Sequence, residues 1–256
     1  MPRSAHGGRH ELGQNFLNHR PTIDRIVSLV SGTDGPILEI GAGDGALTRP
    51  IAELRRPVVA IDLDEHRVRR LRRKLPDVRI EHADALAYPF DHPVVVGNIP
   101  FHLTTPILRR LLATGTWRHA ILLTQWEVAR KRAGVGGRTM LTAQAAPWFT
   151  FALHGRIPAR HFTPSPGVDG GILKIVRRGE PLVLVRERVH YEKFVRAVFT
   201  GRGSGFPRIL QHATGLSRGQ VTGLLAASDI DPRSLPRDLT AEQWSTLWRS
   251  MRASGR

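Results

Sequence analysis

Apolar and polar residues follow one pattern before residue 178 and another after it. In the first part, short continuous apolar runs alternate with segments whose apolar residues recur at helical spacing. Buried strands between helices are typical of a parallel sheet that helices cover on both faces. The pattern predicts strands at 36–40, 58–61, 78–81, 94–97 and 120–124, a closing strand pair at 149–157 and 171–176, and helices at 23–30, 46–54, 65–75 and 105–113.

After a turn with Gly and Pro at 177–181 the strand pattern fades. Such a turn between two differently patterned regions marks a domain boundary. We therefore predict a flexible basic arm at 1–11, an α/β domain at 12–178 and a small all-α domain at 179–256. Helical spacing in the last part predicts helices at 191–199, 207–213, 219–227 and 241–251.

The composition narrows the classes of function. The 256 residues include 38 Lys and Arg against 22 Asp and Glu, which gives a formal net charge of +16. Such an excess is expected of a nucleic-acid binder, and a generally basic surface without a polyanionic partner is the alternative. The chain has no cysteine, which excludes disulfides and thiolate metal sites. No apolar run has the length of a membrane span or forms a signal core, so we expect a cytoplasmic protein.

Three glycines at alternate positions, Gly41, Gly43 and Gly45, follow the first predicted strand and precede a helix. Glycine lets the backbone approach a ligand closely, and the start of the helix offers free N–H groups. Asp62 ends the next strand, where a carboxylate can accept hydrogen bonds from both hydroxyls of a ribose. The pattern predicts a nucleotide-like cofactor, and a glycine turn without a ligand is the alternative.

The residue before this turn, Glu39, indicates which cofactor fits. The spacing Gly-x-Gly-x-Gly differs from the Gly-x-Gly-x-x-Gly of NAD sites. A carboxylate suits S-adenosylmethionine, whose sulfonium and ammonium groups are positive, and it would repel the pyrophosphate of NAD. Asp84 follows the third strand and is placed to accept a hydrogen bond from the adenine amine of the cofactor. A helix cap or a surface acid is the alternative for Asp84.

The tetrapeptide Asn98, Ile99, Pro100 and Phe101 ends the fourth predicted strand, at the edge where ligands bind in such sheets. The Asn98 side-chain oxygen and the Ile99 carbonyl could accept both hydrogens of an exocyclic amine. Pro100 fixes φ and donates no hydrogen bond, and Phe101 could stack on a base. The chemistry indicated is methyl transfer to N6 of adenine, which requires neither a metal nor a strong base. A strand-ending turn with Phe101 in the core is the alternative.

A second aromatic residue, Phe162, lies in a loop that Pro164 and Pro166 stiffen. Its ring could cover the other face of a base that has been flipped out of a helix. Extruding a base costs a few kcal/mol, which stacking on two rings could offset. Packing in the core is the alternative for Phe162.

With these motifs the chain resembles the erythromycin-resistance (Erm) ribosomal RNA methyltransferases. The resemblance implies a Rossmann-like catalytic domain with a seven-stranded, mostly parallel sheet and a small helical C-terminal domain. It implies mono- or dimethylation of N6 on one adenine in the peptidyl-transferase loop of 23S rRNA, with resistance to macrolides, lincosamides and streptogramin B. The matching segments are Gly13–Leu17, Glu39–Gly45, Asn98–Phe101, Pro147–Phe149 and Phe162–Asp169.

The resemblance also implies roles for individual residues. Two positions depart from the common pattern of the family, since the ribose acid is often Glu and the residue after the proline is often Tyr. Neither change removes the chemistry, because Asp62 still carries a carboxylate and Phe101 still carries a ring. The implied cofactor residues are Gln14, Asn15 and Leu17 at the methionine end, Gly41 and Gly43 beneath the cofactor, Asp62 at the ribose with Leu63 beside it, Asp84 and Ala85 at the adenine, and Asn98, which would contact cofactor and target alike.

Two basic clusters are candidates for RNA contact. One surrounds a glycine-rich loop at 134–137, after the fifth strand, and we favour it. The other crowds the helix at 65–75, where a solvated face is the alternative. The favoured set comprises Arg130, Lys131, Arg132, Arg138 and Arg160.

We expect a monomeric enzyme that acts on protein-free or partly assembled 23S rRNA. Three other hypotheses compete with this one. The small-subunit rRNA adenine dimethyltransferases share the glutamine loop and a similar tetrapeptide. An RNA-binding module without chemistry would be expected to carry a damaged glycine turn or tetrapeptide, and neither is damaged here. A DNA adenine methyltransferase would need a larger recognition domain than the part that follows residue 178.

Overall fold

The computed structural model describes residues 15–253. The predicted arm at 1–11 and Gln14 lie outside these residues. Among the described residues, no helix has both the length and the apolar content needed to cross a bilayer. The regular elements are β1 (Phe16–Leu17), α1 (Arg20–Ser31), β2 (Ile37–Ile40), α2 (Thr48–Ala52), β3 (Val58–Asp62), α3 (Glu65–Lys74), β4 (Arg79–His82), β5 (Val94–Asn98), α4 (Thr104–Ala113), β6 (His119–Gln125), α5 (Trp126–Arg132), α6 (Met140–Ala145), β7 (Phe149–Ile157), β8 (Phe162–Thr163), β9 (Gly170–Arg177), α7 (Arg188–Thr200), α8 (Phe206–Thr214), α9 (Arg218–Ala227) and α10 (Ala241–Ala253).

Seven strands form one mixed, mostly parallel sheet in the order β4-β3-β2-β5-β6-β9-β7. Strands β2 to β6 pair in parallel, and β9 runs antiparallel to β6 from His119↔Val176 to Gln125↔Gly170. Every residue of β2 and β3 is buried, as expected for strands covered on both faces. The predicted seven-stranded fold is confirmed, and β9 and β7 are neighbours, as the predicted strand pair requires.

A second, two-stranded sheet was not predicted. Strand β1 pairs antiparallel with β8, in the register Phe16↔Thr163 and Leu17↔Phe162. It joins the first described residues to the loop that contains Phe162. Each strand has only two residues, too few for a periodic signal in the sequence.

The chain divides into two compact units. Among the described residues, one unit contains 15–130 with 152–176, and the other contains 131–151 with 177–253. The sequence-based division placed 131–151 with the sheet instead. In the structure these residues bond to α7, because Gln144 Nε2 donates to the Glu192 carbonyl (2.8 Å) and the Tyr191 hydroxyl donates to the Ala143 carbonyl (3.0 Å).

The second unit is held together by aromatic side chains. Tyr191 meets Trp148 edge to face at 5.5 Å between ring centroids, and it meets Trp248 in the same way at 5.9 Å. Phe194 lies 6.0 Å from Trp244. Large buried rings of this kind dominate the energy of a small core. The four predicted C-terminal helices are present as α7, α8, α9 and α10.

Strand β5 can approach β2 closely only because residue 97 is glycine. A Cβ at Gly97 would lie 2.4 Å from the Ile40 carbonyl oxygen and 2.7 Å from Ile40 Cγ1. Both contacts are far shorter than van der Waals distance, and the first is with backbone that cannot rotate away. Gly97 therefore fixes how the ends of β2 and β5 meet.

We predict that Gly97→Ala destabilises the protein by about 2 kcal/mol or more, because the added methyl group forces two central strands apart. Calorimetry should show a melting temperature lowered by several degrees. Gly115→Ala is the matched control, because no atom lies within 4 Å of its added Cβ. The account of this contact is wrong if the two variants melt at the same temperature.

Candidate functional site

The candidate site lies at the carboxyl ends of β2, β3 and β5. Strand β2 pairs with β5 from Ile37↔Val94 to Glu39↔Val96, so the turn after β2 and the tetrapeptide after β5 leave the sheet side by side. A Cβ on Gly41 would lie 3.4 Å from the Asn98 carbonyl oxygen. The two motifs, 57 residues apart (98 − 41) in the sequence, are thus in contact.

The glycine turn has a backbone that favours glycine. Gly41, Gly43 and Gly45 have φ angles of +73°, +54° and +85°, in the left-handed region. The Gly41 and Ala42 N–H groups donate to the Ile61 carbonyl at 2.9 and 3.0 Å. The turn is therefore tied to β3 along its first half.

Asp62, at the end of β3, holds the second half of the turn. Its Oδ2 accepts from the Gly43 N–H at 2.7 Å, and its Oδ1 accepts from the Asp64 N–H at 2.9 Å. Each oxygen keeps a further lone pair for a ligand hydroxyl. The position predicted for a ribose acid thus also fixes the glycine turn, a role that the sequence did not reveal.

Glu39 is a buried carboxyl group, 1% exposed. Among the described residues its Oε2 has no hydrogen-bond partner. Burial raises the pKa of Glu39 to about 8 against the opposing effect of the Thr48 hydroxyl, and the negative charge of Asp62 adds a smaller upward contribution. Glu39 lines a cavity, and a cationic group bound beside its free Oε2 would stabilise the ionised form of this carboxyl.

Two cavities of similar size meet at Gly41. One, of about 240 Å³, is lined by Phe16, Leu17, Glu39 and the glycine turn. The other, of about 230 Å³, is lined by the end of β3, by the residues that follow β4, and by Ile99 and Pro100 of the tetrapeptide. A third cavity of about 30 Å³ shares lining residues with both and is bordered by Asn15, Phe16, Gly41, Gly43, Asp62, Asn98, Ile99, Pro100 and Phe101.

Asp84 and Ala85, predicted for the adenine of the cofactor, line the second cavity, and so does Leu63, predicted as a cofactor residue. Asp84 is exposed, and its Oδ1 caps the following turn by accepting from the Leu86 N–H at 2.8 Å. One oxygen of Asp84 therefore acts as a cap, as the alternative predicted, and the residue also borders the cavity.

The tetrapeptide places its polar groups between the cavities. The Asn98 side-chain amide nitrogen donates to the Asn15 carbonyl at 2.7 Å, which leaves the side-chain oxygen as its acceptor. Ile99 is buried, and its N–H donates to the Leu123 carbonyl at 2.9 Å. Pro100 has φ −52° and ψ 129° and starts a short 3₁₀ turn, on which Phe101 lies.

The two aromatic candidates touch each other. Phe101 and Phe162 meet edge to face, with ring centroids 6.3 Å apart and planes at 74°. Phe162 is 3% exposed and belongs to the core, whereas Phe101 is partly exposed. In this conformation the rings do not form a parallel sandwich, and Phe162 supports Phe101 from the core side.

The loop before and after Phe162 is anchored by Asp169. Its Oδ1 accepts from the Ala159 N–H at 2.8 Å and its Oδ2 from Arg156 Nε at 2.6 Å. The Ala159 hydrogen bond and the Arg156 cation lower the pKa of Asp169. The Asp169 carbonyl also accepts from the Trp126 N–H at 2.8 Å, which joins the loop to the end of β6.

The segment at 15–18 closes one side of the site. Besides the pairing of β1 with β8, the Asn18 N–H donates to the His161 carbonyl at 3.1 Å. Asn18 Nδ2 donates to Thr163 Oγ1 at 2.6 Å, and the His19 and His161 rings stack at 3.5 Å. The predicted Asn15 and Leu17 therefore lie at the cavities, next to the loop that carries Phe162.

The basic residues predicted for RNA contact fall in both units. Arg130 and the exposed Arg160 belong to the first unit, and Arg130 pairs with Glu127 at 2.8 Å. In the second unit Lys131 is exposed, and the Arg132 guanidinium donates to the Thr139 hydroxyl. Arg138 Nη1 donates to the Asp238 carbonyl at 3.3 Å.

A cavity of about 180 Å³ in the second unit is lined by three arginines: Arg132, Arg138 and Arg178. Arg178 was not predicted, because it lies at the domain boundary, far in sequence from the other two. Its Nη2 lies 3.6 Å from Glu242 Oε1, so the cavity also contains one acid. Its net charge remains positive, which suits an anion.

The chain is similar to known ribosomal RNA methyltransferases over most of its length. A family model described as "Ribosomal RNA adenine dimethylase" matches residues 5–252. The chain is 50% identical over 256 residues to the mycinamicin-resistance protein MyrB of Micromonospora griseorubida, covering 98% of this chain and 81% of MyrB. It is 50% identical over 213 residues to an rRNA adenine N-6-methyltransferase of Corynebacterium diphtheriae, covering 81% of this chain and 84% of that protein. The crystal structure of the 23S rRNA methyltransferase ErmE is similar, with a TM-score of 0.83 and 32% identity, covering 93% of this chain and 100% of that one.

The buried Glu39 predicts a pH dependence of stability. Its folded-state pKa is raised, so the native protein keeps a proton that the unfolded chain releases above about pH 4.5. This contribution to stability is complete below that pH and is lost as the pH rises to about 8. Glu39→Gln cannot titrate, so its melting temperature relative to the parent should rise from pH 5 to pH 8. Parallel melting curves across that range would contradict the burial of an ionisable group.

Proposed function

This chain belongs to the ribosomal RNA adenine dimethylase family, and on that premise we propose that it methylates N6 of one adenine in 23S rRNA. The methyl donor is S-adenosylmethionine, the adenine lies in the peptidyl-transferase loop, and one or two methyl groups are added. The predicted resemblance to Erm methyltransferases is confirmed. The consequence for the cell is resistance to macrolides. We propose that the resistance also covers lincosamides and streptogramin B.

One observation carries this proposal: the contact between the glycine turn and the tetrapeptide. Gly41 lies against the Asn98 carbonyl, and the cavities on either side share both motifs. A cofactor that occupies the two larger cavities would therefore have its transferable methyl group beside the residues suited to hold an exocyclic amine. Transfer between two bound molecules requires their reacting atoms to be held at near-contact distance.

We propose that the two larger cavities hold the two ends of the cofactor. When bound, S-adenosylmethionine supplies an electrophilic methyl group. Glu39 would then hold its positive end, and Gly41 and Gly43 would let the backbone approach it closely. Asp62 would accept from the ribose hydroxyls through its free lone pairs. Asn15 and Leu17 would cover the methionine end, and Leu63, Asp84 and Ala85 would cover the adenine end.

We propose that the tetrapeptide prepares the acceptor nitrogen. The N6 lone pair of adenine is delocalised into the ring, so the amine is a poor nucleophile. Hydrogen bonds from both its hydrogens, to the Asn98 side-chain oxygen and the Ile99 carbonyl, favour a tetrahedral nitrogen whose lone pair is available. Pro100 keeps the backbone in the required conformation, and water takes the proton that the methylated nitrogen loses.

The aromatic pair would hold the target base. Phe101 is partly exposed and offers a face for stacking, worth about 1–3 kcal/mol. Phe162, buried against it, keeps that ring in place and would add its own edge or face once the base enters. Phe101 borders the small cavity together with Asn98, and the loop of Phe162 is bonded to the segment at 15–18.

We propose that the RNA backbone binds the arginine-rich regions of both units. Arg130 and Arg160 would contribute from the first unit, and Lys131, Arg132 and Arg138 from the second. The arginine-lined cavity of the second unit, with Arg178, has the charge expected of a phosphate site. We further propose a monomer that acts in the cytoplasm on protein-free or partly assembled RNA.

The direct test uses purified protein, labelled S-adenosylmethionine and two substrates: protein-free 23S rRNA and immature small subunits. Mass spectrometry then maps and counts the methyl groups. Label on a single N6 position of 23S rRNA supports the proposal. Label on two adjacent adenines of the small subunit would assign the chain to the small-subunit enzymes, and no label on either would remove the proposed activity.

In the same assay we predict that Asn98→Ala lowers the rate about a hundredfold or more, because the acceptor of the amine hydrogens is lost. Phe101→Ala should also be severely impaired, whereas Phe101→Tyr, the matched control, keeps a ring and should remain active. Circular dichroism should show all three variants folded. Full activity in Asn98→Ala or Phe101→Ala would rule out this site.

We predict that RNA affinity falls steeply with salt, because arginines that bind phosphates release counterions from the RNA. Between about 50 and 200 mM salt, a logarithmic plot of the binding constant should be linear and steep. Arg132→Gln and Arg138→Gln should each reduce the slope by about one, while Arg69→Gln, whose guanidinium pairs with Glu65, should not. A flat plot for the parent protein would contradict the electrostatic account.

A further inference from the structure

Arg67, on helix α3, contacts Phe16, Asp44 and Asp64, and the first two of these residues line the cavity of about 240 Å³. Its guanidinium carbon lies 4.1 Å from the centroid of the Phe16 ring. Its Nη1 lies 2.6 Å from Asp44 Oδ1, and its Nε lies 3.2 Å from Asp64 Oδ2. The Arg67 side chain is only 21% exposed, so these contacts are partly shielded from water.

The contact with Phe16 matters because that ring lies on the glycine turn. A Cβ on Gly43 would lie 3.1 Å from the ring of Phe16, so the ring rests directly on the turn. The guanidinium of Arg67 covers Phe16 as well, an arrangement stabilised by attraction between the cation and the π-electrons. Phe16 is thereby held between the glycine turn and helix α3.

Arg67 and Phe16 together determine where the segment at 15–18 lies. Residue 15 precedes the Phe16 ring, and its carbonyl accepts the amide hydrogen of Asn98. Phe16 and Asp44 line the cavity of about 240 Å³, together with Glu39. A shift of Phe16 would therefore remove part of the lining of this cavity.

The neighbouring arginines show that this arrangement is not a general property of the basic helix. Arg70 also pairs with Asp44, while Arg69 pairs with the exposed Glu65 of its own helix, at 3.5 Å. Arg72 Nε donates to the Ile80 carbonyl at 2.8 Å. Of the six cations on α3, Arg67 is the one with contacts, within residues 15–253, to both the segment at 15–18 and the glycine turn.

We infer that Arg67 is a positioning residue that holds the segment at 15–18 closed over the methionine end of the cofactor and slows release of that cofactor. This inference rests on the proposed function, because it assumes that the cavity beside Glu39 holds S-adenosylmethionine. Arg67 itself lines none of the three cavities described at the candidate site. Its loss should therefore weaken binding of the cofactor without changing the rate at saturation.

The test is calorimetric titration of the full chain with S-adenosylhomocysteine. We expect Arg67→Ala to bind about tenfold more weakly than the parent, because one cation–π contact and two ion pairs are lost. Arg67→Lys keeps the positive charge but not the planar guanidinium, so its affinity for S-adenosylhomocysteine should lie between those of the parent and Arg67→Ala. Arg69→Ala is the matched control and should bind as the parent does.

The design separates this inference from the proposed function and from misfolding. No binding by the parent protein would refute the cofactor assignment itself, and the inference would fail with it. Tight binding by the parent and equal affinity in Arg67→Ala would refute only the role of Arg67. The stoichiometry of the titration reports the fraction of folded protein. A lowered stoichiometry with unchanged affinity would mean that Arg67→Ala only damages the fold, and it would also refute the role of Arg67.

Steady-state kinetics gives a second readout of the role of Arg67. Arg67→Ala should raise KM for S-adenosylmethionine about tenfold with kcat unchanged, and a fall in kcat alone would contradict the inference.

If Arg67→Ala does not fold, Asp44→Asn removes the partner shared by Arg67 and Arg70. That variant should bind S-adenosylhomocysteine several-fold more weakly, and unchanged affinity would contradict the inference.

Discussion

The close approach of β5 to β2 at Gly97 determines the geometry of the site. Because residue 97 has no side chain, the Ile40 carbonyl can lie where a methyl group would otherwise be. The two strands then end at the same level, and the turn after one lies against the tetrapeptide after the other. A single pair of parallel strands thus brings together the two motifs on which the proposed chemistry depends.

The two buried acids of the site have different surroundings, and this difference fits their proposed roles. Asp62 accepts two backbone N–H groups and so remains a structural anchor with lone pairs to spare. Glu39 is equally buried, but its Oε2 has no partner among the described residues, and its pKa rises to about 8. A positive ligand beside Glu39 would stabilise the ionised form, so binding should be accompanied by proton release near neutral pH.

The sheet and the central motifs could be predicted because their signals are local. Buried strands appear as apolar runs, and Gly41, Gly43 and Gly45 stand directly after one of them. The segment at 15–18 could not be predicted in the same way, since Asn18 bonds to Thr163, 145 residues away. Helices α5 and α6 were missed because they are short and a glycine-rich loop separates them.

The basic helix α3 shows a second limit of sequence reasoning. Six cations in ten residues suggest a solvated or RNA-binding face, yet several of them have partners within the protein, including Asp44 and the Ile80 carbonyl. An ion pair of this kind depends on which loop lies above the helix. Such a contact becomes visible only when the fold is known.

The measurement that tests the central claim most directly is a crystal structure of the complex with S-adenosylhomocysteine. The account predicts one ligand across both large cavities, with its amino group near Glu39, its sulfur beside Asn98 and its adenine against Leu63 and Asp84. The opposite orientation, with the adenine beside Glu39, or a ligand bound away from Gly41, would contradict the account.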